Sequence, residues 1–169
     1  MGYTHYFHYN AKSKTWQKAW PHLIKDTKTI IAAAGVELSG PESPDGTVAT
    51  APLVSKTKGI YINGVDEDAH EPLVIGCKEY LSLGFVKTAQ KPYDVVVACV
   101  LLRAAMLAPR AFVIGSDGDW DGVGDWGDAR RLYRSLWPGD ELECPWGEGD
   151  VVGVLVEDPS GGSTGCCPS

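Results

Sequence analysis

Pro92-Tyr93-Asp94-Val95-Val96-Val97-Ala98-Cys99-Val100-Leu101-Leu102-Arg103-Ala104-Ala105-Met106-Leu107-Ala108-Pro109 is apolar on nearly every side. Its three consecutive valines favour a strand, but strands typically run to only about five or six residues. Pro92 suits the first turn of a helix, where a missing N–H goes unnoticed. Asp94 falls where the positive helix end favours a carboxylate, and Pro109 stops the pattern. The spacing therefore predicts a buried central helix over Val95–Leu107.

Working outward, residues 3–9 alternate, with Tyr3, His5, Phe7 and Tyr9 on one face and Thr4, Tyr6 and His8 on the other. Bulky groups on both faces predict a strand inside a sheet. Ser13 offers an N-cap, and Trp16, Trp20, Leu23, Thr27, Ile30 and Ala34 form one helical stripe closed by Gly35. Pro21 implies either a kink there or a helix that begins there. Residues 39–50 are loop by composition. Gly59–Val65 reads as a strand ending at the Asn63-Gly64 turn dipeptide, and Leu73–Cys77 as its partner beyond the acidic run Asp66–Glu71.

Ala111–Ile114 is a further strand. A helix follows with Ala129, Leu132, Tyr133 and Leu136 on its apolar side, Asp125 as cap and Asp128 in its first turn. Val151–Val156 reads as a last strand at a sheet edge, and residues 158–169 have the composition of a disordered tail. The expected fold is thus a single α+β domain over 1–157, with a mixed or antiparallel sheet and two to three helices. The order β-α-β-β-α-β-α-β makes ferredoxin-like the specific candidate, since its first six elements follow that arrangement. Order alone does not fix topology.

The 169 residues suffice for one self-sufficient core. A net charge of −7 without a basic block argues against a nucleic-acid partner. No run of 18 apolar residues implies a membrane span, and the N-terminus shows no signal core, which points to the cytoplasm. Cys77, Cys99, Cys144, Cys166 and Cys167 make no CxxC pair and read as reduced thiols, with Cys99 in the core. The expected partner is a small-molecule ligand, and a homodimer stays open.

Ser116–Asp128 holds five Asp, two Trp and four Gly in thirteen residues, a concentration that favours a functional loop. Asp117, Asp119 and Asp121 before Gly122, with Asp125 and Asp128 further on, match the spacing of a calcium loop, and Asp117, Asp119, Asp121 and Asp128 are its candidate ligands. Asp rather than Glu at the last position, Gly124 in place of an apolar anchor and a strand leading in all depart from that pattern. The bland alternative is a solvated acidic turn that starts a helix.

Met1-Gly2-Tyr3-Thr4-His5-Tyr6, Lys87-Thr88 with Lys91-Pro92-Tyr93-Asp94-Val95-Val96-Val97, and Ser116-Asp117-Gly118-Asp119-Trp120 with Asp125-Trp126 are three distinctive blocks, and Ile62-Asn63-Gly64 accompanies them. Together they resemble a family of small proteins, bacterial and phage ones among them, that begin Met-Gly-Tyr-Thr-His-Tyr. The resemblance spans roughly residues 1–137 and implies no activity. It implies only that the first strand, the start of the central helix and the Asp-Trp loop belong together. The Gly122-Val123-Gly124 portion and the C-terminal extension depart from the family pattern.

Those blocks supply the candidate chemistry. His5, Lys91, Asp94 and Asp117 are candidate catalytic groups, a strand imidazole beside a helix-start carboxylate and ammonium suiting acid/base work and oxyanion stabilisation. Tyr3, Tyr6, Lys87, Tyr93, Trp120 and Trp126 are candidate ligand-binding residues, with Trp137 and Trp146 as further aromatic surface. Each also has a structural reading, as core, cap or solvated charge. No phosphate loop, dinucleotide fingerprint, nucleophile elbow or HExxH occurs. The expectation is a cofactor-independent acid/base enzyme of isomerase, cyclase or hydrolase type. The alternative is a non-catalytic protein that binds a ligand or Ca²⁺ through the Asp-rich loop.

Overall fold

Alternation in the first strand and periodicity in the helices are realised in the computed structural model, which describes residues 2–76 and 82–147. In chain order the elements are β1 (Thr4–Tyr9), α1 (Lys14–Ala34), β2 (Leu53–Ser55), β3 (Gly59–Ile62), a 3-10 turn at Asp66–Asp68, β4 (Leu73–Ile75), β5 (Ser82–Lys87), α2 (Asp94–Leu107), β6 (Phe112–Ser116) and α3 (Trp126–Leu136). The fold is α+β with three α-helices.

β1 is the middle strand of an antiparallel sheet ordered β5-β1-β6. Its register sets His5 between Val86 and Ser116, and Phe7 between Gly84 and Ile114. The Phe7 ring leaves no room for a Cβ at residue 84, so the glycine there follows from close packing. His5, Phe7 and Tyr9 point to the helices and are buried, while Leu83 and Phe85 stand exposed on the outer face. Trp16 of α1 stacks on Tyr9 and Phe112, which anchors α1 to this sheet. The second sheet is an antiparallel meander, β2-β3-β4.

α1 starts where the Ser13 hydroxyl accepts from the Trp16 amide and ends at Gly35, whose φ of 64° a glycine adopts without strain. A helix beginning at Pro21 is therefore ruled out: Trp16, Ala19 and Trp20 already face the core ahead of it. α2 is buried from Val96 through Leu102 and at Ala104, and it packs against α1, α3 and β6.

Two elements differ from expectation. β2 is too short to announce itself, and β5 is not foreseen, Gly84 interrupting its apolar pattern. With β5 beside β1, the described strands form two three-stranded sheets, and the ferredoxin-like topology is not found among them. α3 begins at Trp126, and Asp125 holds the N-cap position without a side-chain capping bond. The expected strand Val151–Val156, the tail 158–169 and Cys77, Cys166 and Cys167 lie outside the described residues. No helix among the described residues is long and apolar enough to cross a membrane.

Candidate functional site

The register of β1 directs the His5 side chain inward, toward the start of α2 and the end of β6. His5 Nε2 lies 2.8 Å from Asp94 Oδ1, and His5 Nδ1 lies 2.8 Å from Ser116 Oγ. Asp94 is the first residue of α2, where unpaired amides favour a carboxylate. The Thr88 hydroxyl, fully buried, donates to the same Asp94 oxygen at 2.5 Å. Three segments spread over 111 residues of chain thus meet in one polar chain.

The turn between β5 and α2 is held tightly. Thr88 N donates to Tyr3 O, Lys91 N to Thr88 O, and Asp94 N to Lys91 O. Within it Ala89 (φ 51°) and Gln90 (φ 54°) are both left-handed, a conformation costing L-residues on the order of 1–2 kcal/mol each. Strain of this kind persists where surrounding structure over-determines it, and functional turns are a common setting.

Ser116 Oγ also accepts from Trp126 Nε1 at 2.9 Å and from the Gly118 amide at 3.0 Å. The His5 ring is clasped edge-on by Tyr3 at 5.1 Å and by Trp126 at 5.0 Å. The Tyr3 hydroxyl lies near Ser116 but makes no hydrogen bond to it or to any other described residue, and it is buried. Burial, reinforced by Asp94 and Asp125, holds this phenol protonated well above the ordinary tyrosine range. Residue 118 must be glycine for Tyr3 to sit there, since a Cβ would collide with the hydroxyl.

His5 and Asp94 therefore converge as expected. Asp117 adjoins them at one remove: its carboxylate accepts from the Thr4 amide at 3.0 Å, and its own amide donates to Thr4 O. Lys91 does not join them; its ammonium donates to Glu67 O at 2.9 Å. Tyr93 is buried, with its hydroxyl on Glu71 O at 2.7 Å, and it ties the start of α2 to the segment that leads into β4. Lys87 and Tyr6 lie on the outer face, paired with Thr4 and Phe85 respectively. Trp126 is fully buried and so offers no aromatic surface, whereas Trp120 is half-buried against Trp126 and Trp146.

The Asp-rich loop does not gather its acids either. The Asp119 carboxylate accepts from the Asp121 amide, Asp121 pairs with Arg130 at 2.8 Å, and Asp128 pairs with Arg131. Asp125 accepts from Gln90 and from the Asp119 amide, which is why it does not cap α3. Cationic and amide donors from the protein take the places that a cation would need. No cluster of three or more His, Cys, Asp or Glu side chains placed to hold a metal occurs among the described residues.

Thr88 and Ser116 are functional candidates that carry no role in the sequence, although both fall within its distinctive blocks. Their only signal was adjacency to those blocks. Set beside known proteins, the chain matches no family model, no curated protein and no solved structure.

Proposed function

We propose that this chain binds a small molecule and acts on it as a cofactor-independent acid/base enzyme, with Asp94 as the catalytic carboxylate and His5 as a positioning residue. The observation that carries this reading is the Asp94–His5–Ser116 chain, buried where β1, β6 and α2 meet. Burying such groups is unfavourable unless they are fully paired. Here the pairing gathers on one oxygen: Asp94 Oδ1 takes both donors, from His5 and from Thr88. The His5 side chain has no exposed surface and that of Asp94 keeps 8%, so Asp94 is the member that can meet a substrate.

The same geometry narrows the chemistry. Ser116 Oγ holds two N–H donors, which leaves no lone pair for attack on a carbonyl. Proton transfer, as in isomerisation or cyclisation, fits better than acyl transfer through Ser116. A positioned carboxylate base typically contributes about 10²–10⁴-fold. The acidic balance of −7 favours neutral or cationic small molecules over nucleic acid, and the free thiols Cys99 and Cys144 suit a cytoplasmic setting. Binding without turnover is the second reading, favoured by the complete burial of His5.

A compound library screened by thermal shift, with each hit then followed for conversion, tests the proposal. A hit converted by the native chain and bound but unconverted by Asp94→Asn supports it. Conversion that survives in Asp94→Asn removes Asp94 from the chemistry.

A further inference from the structure

The hydrogen bonds around Ser116 fix where the protons of this chain reside. An indole N–H and a backbone amide only donate, and a serine hydroxyl has one proton and two acceptor positions. Trp126 Nε1 and Gly118 N occupy both acceptor positions, at 2.9 and 3.0 Å. The serine proton is then the one element left for the 2.8 Å contact with His5 Nδ1. Nδ1 must be the acceptor, and the imidazole proton belongs on Nε2, directed at Asp94 Oδ1.

We infer that Ser116 and Trp126 are positioning residues that hold His5 in its Nε2–H tautomer and thereby direct a donor at the catalytic carboxylate. Trp126 is suited to this, being fully buried and packed edge-on against the same imidazole at 5.0 Å. The polarity of the chain is then one-way: Trp126 and Gly118 donate to Ser116, Ser116 to His5, and His5 to Asp94. Thr88 adds a second donor from the other side. Both donors converge on Oδ1, which orients the carboxylate and leaves Oδ2 as the reactive edge. A tautomer is set by the hydrogen bonds of the other ring nitrogen, and here those bonds originate in the Asp-Trp loop.

The inference deepens the acid/base reading, but its test needs no substrate. Long-range proton–nitrogen NMR of the ¹⁵N-labelled full chain reports each ring nitrogen of His5. The expected pattern is a protonated Nε2 and an unprotonated, hydrogen-bonded Nδ1. Ser116→Ala moves the Nδ1 resonance toward that of an unbonded, unprotonated nitrogen, and Ser116→Thr returns it. Trp126→Phe, by freeing one acceptor position on Ser116, moves Nδ1 part of the way; should its core fail to fold, the Ser116 pair suffices. A native His5 protonated on Nδ1 overturns the inference, as does an Nδ1 signal indifferent to Ser116→Ala. The expected pattern in a chain that converts no compound leaves the tautomer standing and removes the enzyme reading. A reversed tautomer in an active chain does the opposite.

Discussion

Asp94 and Arg103 both belong to α2, and each draws charged and polar partners from distant parts of the chain. Arg103 donates through Nε to Asp26 at 2.8 Å and through Nη1 to the Tyr133 hydroxyl at 2.7 Å and to Asp140 at 3.0 Å. Its guanidinium lies 4.0 Å over the Trp137 ring, and Tyr133 donates to Asp140 at 2.6 Å. That network closes on itself and clamps α1 and α3 to α2. The Asp94 network stays open: the Asp94 side chain keeps 8% of its surface exposed, and the Tyr3 hydroxyl beside it is buried without a partner among the described residues. Two polar clusters, one buried around Asp94 and one partly exposed at Asp140, thus divide by how they end. A closed cluster is explained by stability, and an open one retains groups that only a further partner satisfies.

The largest effect expected from this contrast is on the closed side. Arg103→Met removes the cation that pairs Asp26 and Asp140, at a cost of about 1–3 kcal/mol, held down by the 36% exposure of the Asp140 side chain. Urea unfolding should show that loss, with the His5 nitrogen resonances unchanged. A cost below about 1 kcal/mol would erase the distinction drawn here. On the open side, Asp94→Asn keeps an acceptor for His5 and Thr88, so it should cost only about 1–2 kcal/mol of stability. Its effect falls on turnover, a loss of about 10²–10⁴-fold in any reaction found.

A matched pair of tyrosines sharpens the comparison further. Tyr133→Phe breaks bonds to Arg103 and Asp140 and should cost about 1–2 kcal/mol at neutral pH. Tyr3→Phe removes a buried hydroxyl that has no partner among the described residues, so stability should hold or rise slightly. Burial raises both phenols above their ordinary value, with Asp140 adding to the rise at Tyr133 and Asp94 and Asp125 at Tyr3. A group raised in the fold contributes stability that is complete below its unfolded value and disappears as pH climbs through the folded one. Both native tyrosines therefore steepen alkaline unfolding above about pH 10, and each Phe variant should flatten that limb. Cys99, pushed up to about 12 by its burial, loses its share between about pH 9 and 12 whichever variant is used.

How much of this was legible beforehand follows from what each feature depends on. α1 and α2 were readable because caps, prolines and apolar spacing are local signals, and Ser13 and Gly35 act where their chemistry implies. The pairing of β3 with β4 followed from a turn dipeptide and a short connection. β5 was not readable, because its exposed Leu83 and Phe85 and its glycine depend on a partner strand about eighty residues away. His5 and Asp94 were legible as candidates because helix-start carboxylates and strand imidazoles are recognisable types. The calcium spacing records which acids are available, whereas the pairing of Asp121 with Arg130 and of Asp128 with Arg131 depends on the fold. Nor did sequence distinguish Trp126, wholly inside, from Trp120, half outside.

The smallest expected effect concerns strain at the two ends of α2. Ala89 (φ 51°) precedes the helix and Arg110 (φ 66°) follows it, and both are exposed L-residues in the left-handed region. Glycine at either position relieves strain of about 1–2 kcal/mol. It also returns about 0.5–1 kcal/mol of freedom to the unfolded chain, so each variant should gain at most about 1.5 kcal/mol. On stability the two ends are thus expected to match, and thermal unfolding should show it. They should part on function. Ala89 lies one residue from Thr88, whose hydroxyl orients the Asp94 carboxylate, so a turn loosened by Ala89→Gly should weaken conversion of any substrate found. Arg110 adjoins neither network, and Arg110→Gly should leave conversion unchanged. Equal behaviour in both assays would mean that the strain before α2 serves only the path of the chain, and Thr88 would then hold Asp94 without help from the turn.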